Sequence, residues 1–336
     1  MKLSNYASAC AVVVLAMSLT CNVSVIGWAQ TAAAPVSTNA ATKAAAASST
    51  DELLMQLPAS DIVAVIDVKR VMGELLPRLK NISVAGIGKM ASEIETFAKL
   101  SGIDPAQVQT AVLGVKLTET LSRGSGLLLL QGVSIDAQKL TAAAQAAGGE
   151  LSARDYQGKQ LFTLSLKAKP DAPASELFFA ALDQQRLAIG DLEAVQSVLA
   201  AKAPTAAHVP LAKALKEIKE SSLVRFAGNL PEGLRVMLAS QGELFSQVAA
   251  VKAIFGSMDL NADNTATVAA RARTASNNDA ALLKESLGGL IALGKLFVGG
   301  DDPKSRLYSS LLDKVQISTQ AQDVALTLIL PKELME

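Results

Sequence analysis

The sequence predicts an α+β fold, with antiparallel sheets and helices packed on one face, arranged as two similar halves. Three observations predict it. β-Branched runs of strand length alternate with stretches whose apolar residues recur every three or four positions. Neighbouring strand candidates are separated by hairpin-length turns. The order of these patterns in the first half of the chain returns in the second.

The first element is a leader. Lys2 is followed by an apolar run from Ala11 to Leu19 and by Gly27-Trp28-Ala29, a small-x-small cleavage site. Residues 1–29 therefore read as a secretory signal peptide cut after Ala29, which places the mature protein in the periplasm or outside the cell. No charged residue lies between Leu3 and Thr42, so membrane anchoring through an uncleaved leader is the alternative. Ser18, Thr20, Asn22, Ser24 and Gly27 interrupt the apolar run and argue for cleavage. Cleavage removes Cys10, Cys21 and Trp28, leaving a mature chain with neither thiol nor tryptophan. Residues 30–50, mostly Ala, Thr and Ser, lack large apolar groups to offset the entropy of ordering and read as a disordered linker.

The first α+β half spans residues 51–203. Ile62 to Val68 is a β-branched strand, followed by a helix from Val71 to Leu79. Ile87, Met90, Ile94, Phe97 and Ala98 share one stripe of a second helix that ends by Gly102. Strands at 110–117 and 126–133 lead to a helix that Asp136 caps and that runs to Ala147. Asp155-Tyr156-Gln157-Gly158-Lys159 reads as a hairpin turn, with Phe162, Leu164 and Leu166 alternating after it. Strands at 178–182 and 186–189 and a helix carrying Leu192, Val195, Val198 and Leu199 close the half.

Residues 203–210, with Pro204 and Pro210, read as the connection to the second half, residues 204–336. A short charged helix, Leu211 to Glu220, precedes a strand from Leu223 to Gly228 and a long helix from Gly233 to Phe255. Strands at 257–261 and 265–272, helices at 279–297 and 307–312, and strands at 315–318 and 324–330 complete it. Val324, Leu326, Leu328 and Leu330 face one way on the last strand; Ala325, Thr327 and Ile329 face solvent, the other half or a partner.

Composition excludes several function classes. With 31 basic and 31 acidic residues, intermixed, the chain has no electrostatic case for binding nucleic acid. Only 4% of residues are aromatic, too few for stacking platforms for bases or sugars.

No motif assembles into a catalytic, cofactor or metal site. His208 is the only histidine and has no cysteine or carboxylate near it in the chain, whereas histidine chemistry needs companions. Gly86-Ile87-Gly88-Lys89-Met90-Ala91 imitates a phosphate loop but has Met90 where Ser or Thr should stand. Asp259, Asn261 and Asp263 have the spacing that opens a calcium loop, yet Asn264 and Ala270 replace its glycine and glutamate, so a hairpin turn is the reading preferred. Gly299-Gly300-Asp301-Asp302 reads as a plain loop. Ser125 lies between adjacent glycines, the wrong spacing for a nucleophile elbow. Asp67, Asp104, Asp155 and Asp191 are the carboxylates from which a glycosidase pair would have to be drawn.

Leu57 to Asp67, Ala188-Ile189-Gly190-Asp191-Leu192-Glu193-Ala194-Val195 and the terminal strand before Pro331 together resemble exported bacterial proteins of alpha/beta character and unknown function. The resemblance covers most of residues 51–330. It implies a leader and a duplicated domain and carries no active-site residue. The expectation is an exported, non-enzymatic protein that binds a protein partner or an envelope component. A carrier of a lipid or other hydrophobic ligand, held by the apolar helices 233–255 and 282–297, is the first alternative. A hydrolase whose site is invisible in sequence is the second.

Overall fold

Strands form where β-branched and alternating residues predict them, and in this computed structural model they pair into one sheet. The structure describes residues 50–79, 98–99, 101–117, 124–146, 148–166, 175–200, 208–240, 242–297 and 303–332. The strands of the first half are β1 (Ile62–Asp67), β2 (Thr110–Leu117), β3 (Gly124–Gln131), β4 (Glu150–Tyr156), β5 (Lys159–Leu166), β6 (Ser175–Ala181) and β7 (Arg186–Gly190). Those of the second are β8 (Val224–Asn229), β9 (Ala253–Leu260), β10 (Ala266–Arg273), β11 (Val315–Gln320) and β12 (Asp323–Leu330). Their order is β11-β12-β10-β9-β8-β1-β2-β3-β7-β6-β5-β4, with antiparallel neighbours throughout.

Local chemistry sets the helices between them. Helix α1 covers residues 50–56. Helix α2 begins at Val68–Arg70, where Asp67 accepts the Arg70 N–H at 3.0 Å, and passes through a π turn, Val71–Leu75, into Leu76–Leu79. Asp136 caps α3 (Ala137–Ala146) by accepting the N–H groups of Gln138 and Lys139. Helices α4 (Leu192–Leu199), α5 (His208–Lys216), α6 (Glu232–Ser240), α7 (Glu243–Ala249), α8 (Asn277–Phe297) and α9 (Pro303–Asp313) follow. Gln157 and Gly158, at φ 55° and 76°, make the two-residue turn between β4 and β5 that the sequence predicts.

The sheet carries helices on both faces, not on one. On the front face, Leu53 of α1 and Leu57 just after it, Val195 and Leu199 of α4 and Leu211 and Leu215 of α5 bury Val65, Val112, Leu129 and Phe255. On the back, α3 sends Leu140 and Ala144 onto Phe162, Phe179 and Ile189, and α2 sends Val71 and Leu75 toward Ile66. Farther along that face, Ala280 and Leu283 of α8 pack on Val324. The expected separate sheets are likewise a single one, because β1 and β8 pair edge to edge over Ile62↔Gly228 to Ile66↔Val224. The α+β class and the antiparallel pairing are as predicted.

The two halves share more than pattern order. β1 and β8 are both six residues long, and β2, β9, β3 and β10 are all eight. Ile62↔Val115 in the first half answers to Val224↔Met258 in the second, Thr110↔Gln131 to Ala253↔Arg273, and Leu127↔Gly190 to Ala269↔Thr327. Each pair joins the same positions within equivalent strands.

One predicted element is corrected. The long helix from Gly233 to Phe255 is two helices and the start of a strand: α6 stops at Ser240, Gly242 takes φ 113°, α7 stops at Ala249, and Ile254 and Phe255 lie in β9. The helix expected from Ile87 to Ala98 lies almost wholly outside the described residues, as does the imitation phosphate loop at 86–91.

Close approach of β7 to β3 requires Gly190, where an added Cβ would sit 2.2 Å from the Gly126 carbonyl oxygen. Gly190→Ala is expected to lower stability by about 1–3 kcal/mol in urea denaturation. Gly126→Ala, whose Cβ would meet nothing nearer than 3.9 Å, is expected to leave the midpoint almost unchanged.

Candidate functional site

The carboxylates from which a catalytic pair would be drawn are engaged by backbone. Asp67 caps α2, and Asp104 accepts the Ala106 N–H at 2.9 Å. Asp155 accepts the Gly158 N–H in its hairpin, and Asp191 accepts the Gly126 N–H at 2.6 Å, tying the start of α4 to β3. Each occupies a separate turn or cap.

Asp259, Asn261 and Asp263 fall at the β9–β10 hairpin, as predicted. Asp263 accepts both the N–H and the hydroxyl of Thr265, Asn261 donates to the Thr265 and Thr267 hydroxyls, and Asn264 takes φ 67°. Asp259 faces Lys219 at 3.4 Å and Arg70 at 3.8 Å. The two carboxylates are thus engaged, Asp263 within the turn and Asp259 by cations. Among the described residues, no three His, Cys, Asp or Glu side chains converge as metal ligands.

His208 opens α5 rather than lying in a loop, with Pro210 in the first turn where its missing N–H costs nothing. Ser125 is an exposed residue of β3 opposite Lys116. Residues 299–302 lie outside the described residues.

Charge concentrates instead on a residue the sequence reading passed over. Arg273, at the end of β10, donates through Nε and Nη2 to Asp323 of β12, both at 2.9 Å, and through Nη1 and Nη2 to Glu217 after α5, at 3.0 and 2.8 Å. Its guanidinium also lies 4.9 Å from the centre of the Phe255 ring. Hydrogen bonds to Asp323 and then Glu217 raise the arginine's pKa further above its ordinary value. The knot fastens α5 to the sheet. The alternation Arg271-Ala272-Arg273 at the end of an apolar strand was the signal, since it points two guanidiniums to one face.

A parallel tie closes the first half. Arg186 of β7 meets Asp183 and reaches Glu52 of α1 at 3.7 Å. These residues, with Gln131, Gln184 and Gln185, line an open hollow of about 430 Å³. A second hollow, of about 150 Å³, lies beside α3 between Asp104, Gln107, Ser134, Asp136 and Lys139. The carboxyls of Asp183, Glu217 and Asp263 are all held below their ordinary range, the opposite of what a general acid needs.

The remaining chemistry is at the surface. The apolar stripe of α8 runs through Ala280, Leu283 and Leu287 toward the sheet, but Leu293 and Leu296 fall outside it and are 44% and 79% exposed. On α6 only Leu234 is buried, while Val236 and Met237 are 60% and 38% exposed. No described helix is long and apolar enough to cross a membrane.

No protein-family model matches the chain, and no curated protein matches it. Two solved crystal forms of TP0453 are similar to it in structure. Form III has a TM-score of 0.45 at 8% identity, over 84% of this chain and 95% of that one. Form I has 0.40 at 9%, over 82% and 91%.

The Arg273 knot makes stability depend on pH. The Arg273 hydrogen bond, opposed by burial, holds the Glu217 carboxyl below its unfolded value. Such a group stabilises the fold above the unfolded pKa and loses that contribution as pH falls through the folded one. The urea midpoint is therefore expected to drop below about pH 4, and Glu217→Gln to remove part of that drop. At neutral pH, Arg273→Lys, which loses the two-sided fork, is expected to cost about 1–3 kcal/mol.

Proposed function

We propose that this chain is an exported, non-enzymatic binding protein that works at the cell envelope, and that it engages its partner through apolar side chains on helices lying outside the sheet. The observation that carries this reading is the exposure of Val236 and Met237 on α6 and of Leu293 and Leu296 on α8. Val236 and Met237 are neighbours on α6, Leu293 and Leu296 lie one turn apart on α8, and exposed apolar patches of this kind mark interaction surfaces. The leader at residues 1–29 supports export. The engagement of Asp67, Asp104, Asp155 and Asp191 in caps and turns supports a role without catalysis. We also infer that the chain arose by duplication of a unit with a helix, a strand, a helical crossover and two further strands, which the equal strand lengths and shared registers support.

Two measurements test the reading. Intact mass of the protein recovered from outside the cytoplasm is expected to begin at Gln30; a chain starting at Met1 contradicts cleavage. After cell fractionation, the wild type is expected in the envelope pellet. A variant carrying Val236→Ser, Met237→Ser, Leu293→Ser and Leu296→Ser is expected in the supernatant with an unchanged circular-dichroism spectrum. A folded variant that stays in the pellet, or a wild type that never enters it, overturns the proposal.

A further inference from the structure

The sheet ends in two strands that differ in one respect. An edge strand presents unpaired N–H and C=O groups, and proteins that must not associate guard such edges with charge, proline or a bulge. β4, at one end, carries Glu150, Arg154 and Asp155, all exposed. β11, at the other, reads Val315-Gln316-Ile317-Ser318-Thr319-Gln320, with neither charge nor proline, and pairs with β12 without a bulge over its whole length. Among the described residues nothing pairs with its outer side.

The hairpin fixes which groups are free. Gln320 faces Asp323 across the two-residue turn Ala321-Gln322, with Ala321 at φ 51°, and residues flanking such a turn exchange backbone hydrogen bonds. Bonding alternates from there, so Gln316, Ser318 and Gln320 direct their backbone groups to β12, and Val315, Ile317 and Thr319 direct theirs outward. Every outward residue is β-branched, the side-chain type that pairs best across strands.

We propose that β11 pairs antiparallel with β11 of a second copy of this chain, about a twofold axis at Ile317, so that one sheet runs through both molecules. The strand is self-complementary in this register. Val315 lies opposite Thr319 of the other copy, Ile317 opposite Ile317, and Gln316 opposite Ser318, so no charge is buried or left unmatched. Each outward residue both donates and accepts across the join. The twofold arrangement closes on itself, whereas pairing β11 with β4 would run head to tail into an open filament and set the charges of β4 against an uncharged strand. The chain already joins strands of equivalent position this way, at β1 and β8, with Ala64 opposite Phe226. This association goes beyond the envelope reading and does not depend on it.

Sedimentation equilibrium of the purified exported chain tests the proposal. The wild type is expected to show twice the mass of one chain. Thr319→Lys is expected to abolish the dimer while leaving the circular-dichroism spectrum of the folded chain unchanged, because Thr319 is exposed and its backbone N–H and C=O point away from β12. A Gln316→Cys, Ser318→Cys variant is expected to oxidise to a covalent dimer. The chain has no cysteine beyond Cys10 and Cys21 in its leader, and two side chains on one face of a single strand do not reach each other in disulfide geometry. A chain that stays monomeric at every concentration, alone or with a co-purified peptide, overturns the proposal. So does a dimer that survives Thr319→Lys.

Discussion

The antiparallel pairing of β1 with β8 is the constraint on which the rest of the structure depends. Without it the chain is two smaller sheets, each with one more exposed edge, and the first strand of each half loses a neighbour. With it, Val63, Ala64 and Val65 are buried, flanked by a strand on each side, and the front face becomes wide enough for α1, α4 and α5 to share one apolar cluster reaching from β5 to β9. Among the described residues only the outermost strands remain open, and these are the two whose sequences treat their edges differently. Placing equivalent strands side by side also makes the two ends of the sheet unequal: the first half adds β4 and β5 beyond β6, and the second stops at β11.

The polar chemistry of the molecule serves this architecture. Carboxylates that could have formed a catalytic pair hold turns and helix starts, and the strongest charge cluster, Arg273 with Asp323 and Glu217, joins β10 and β12 to the segment following α5. Arg186 with Asp183 and Glu52 does comparable work at α1. In both halves an arginine at a strand end binds a glutamate carried in by a front-face helix or the residues just beyond it. Charges used this way hold the fold, and the contacts proposed with other molecules lie on helix surfaces and a strand edge instead.

Much of the fold was legible in the sequence because most strands are local hairpins with their own turn signals. Gln157-Gly158 and the Asn261 to Thr265 turn announced two of them, and the Asp136 cap set a helix start. The segment 233–255 misled because Val248, Val251, Ile254 and Phe255 keep helical spacing while also fitting a strand, and a short apolar run cannot be assigned by spacing alone. Gly242 was the one local sign of a break. The single sheet was not legible at all, since β1 and β8 meet across most of the first half and no local pattern encodes a distant pairing. The Arg273 knot was hidden for the same reason: its partners come from three separate elements. The exposed apolar residues on α6 and α8 could have been found by asking which large side chains fall off the stripe that faces the sheet.

Native-state hydrogen exchange at the β1–β8 junction tests the central claim, that two halves form one cooperative sheet, most directly. The amides of Val63, Ala64 and Val65 in β1 and of Phe226 and Ala227 in β8 are expected to exchange only through global unfolding, with one shared free energy that matches denaturant unfolding. Separate exchange of the two strands, with one half opening while the other stays protected, would contradict the account.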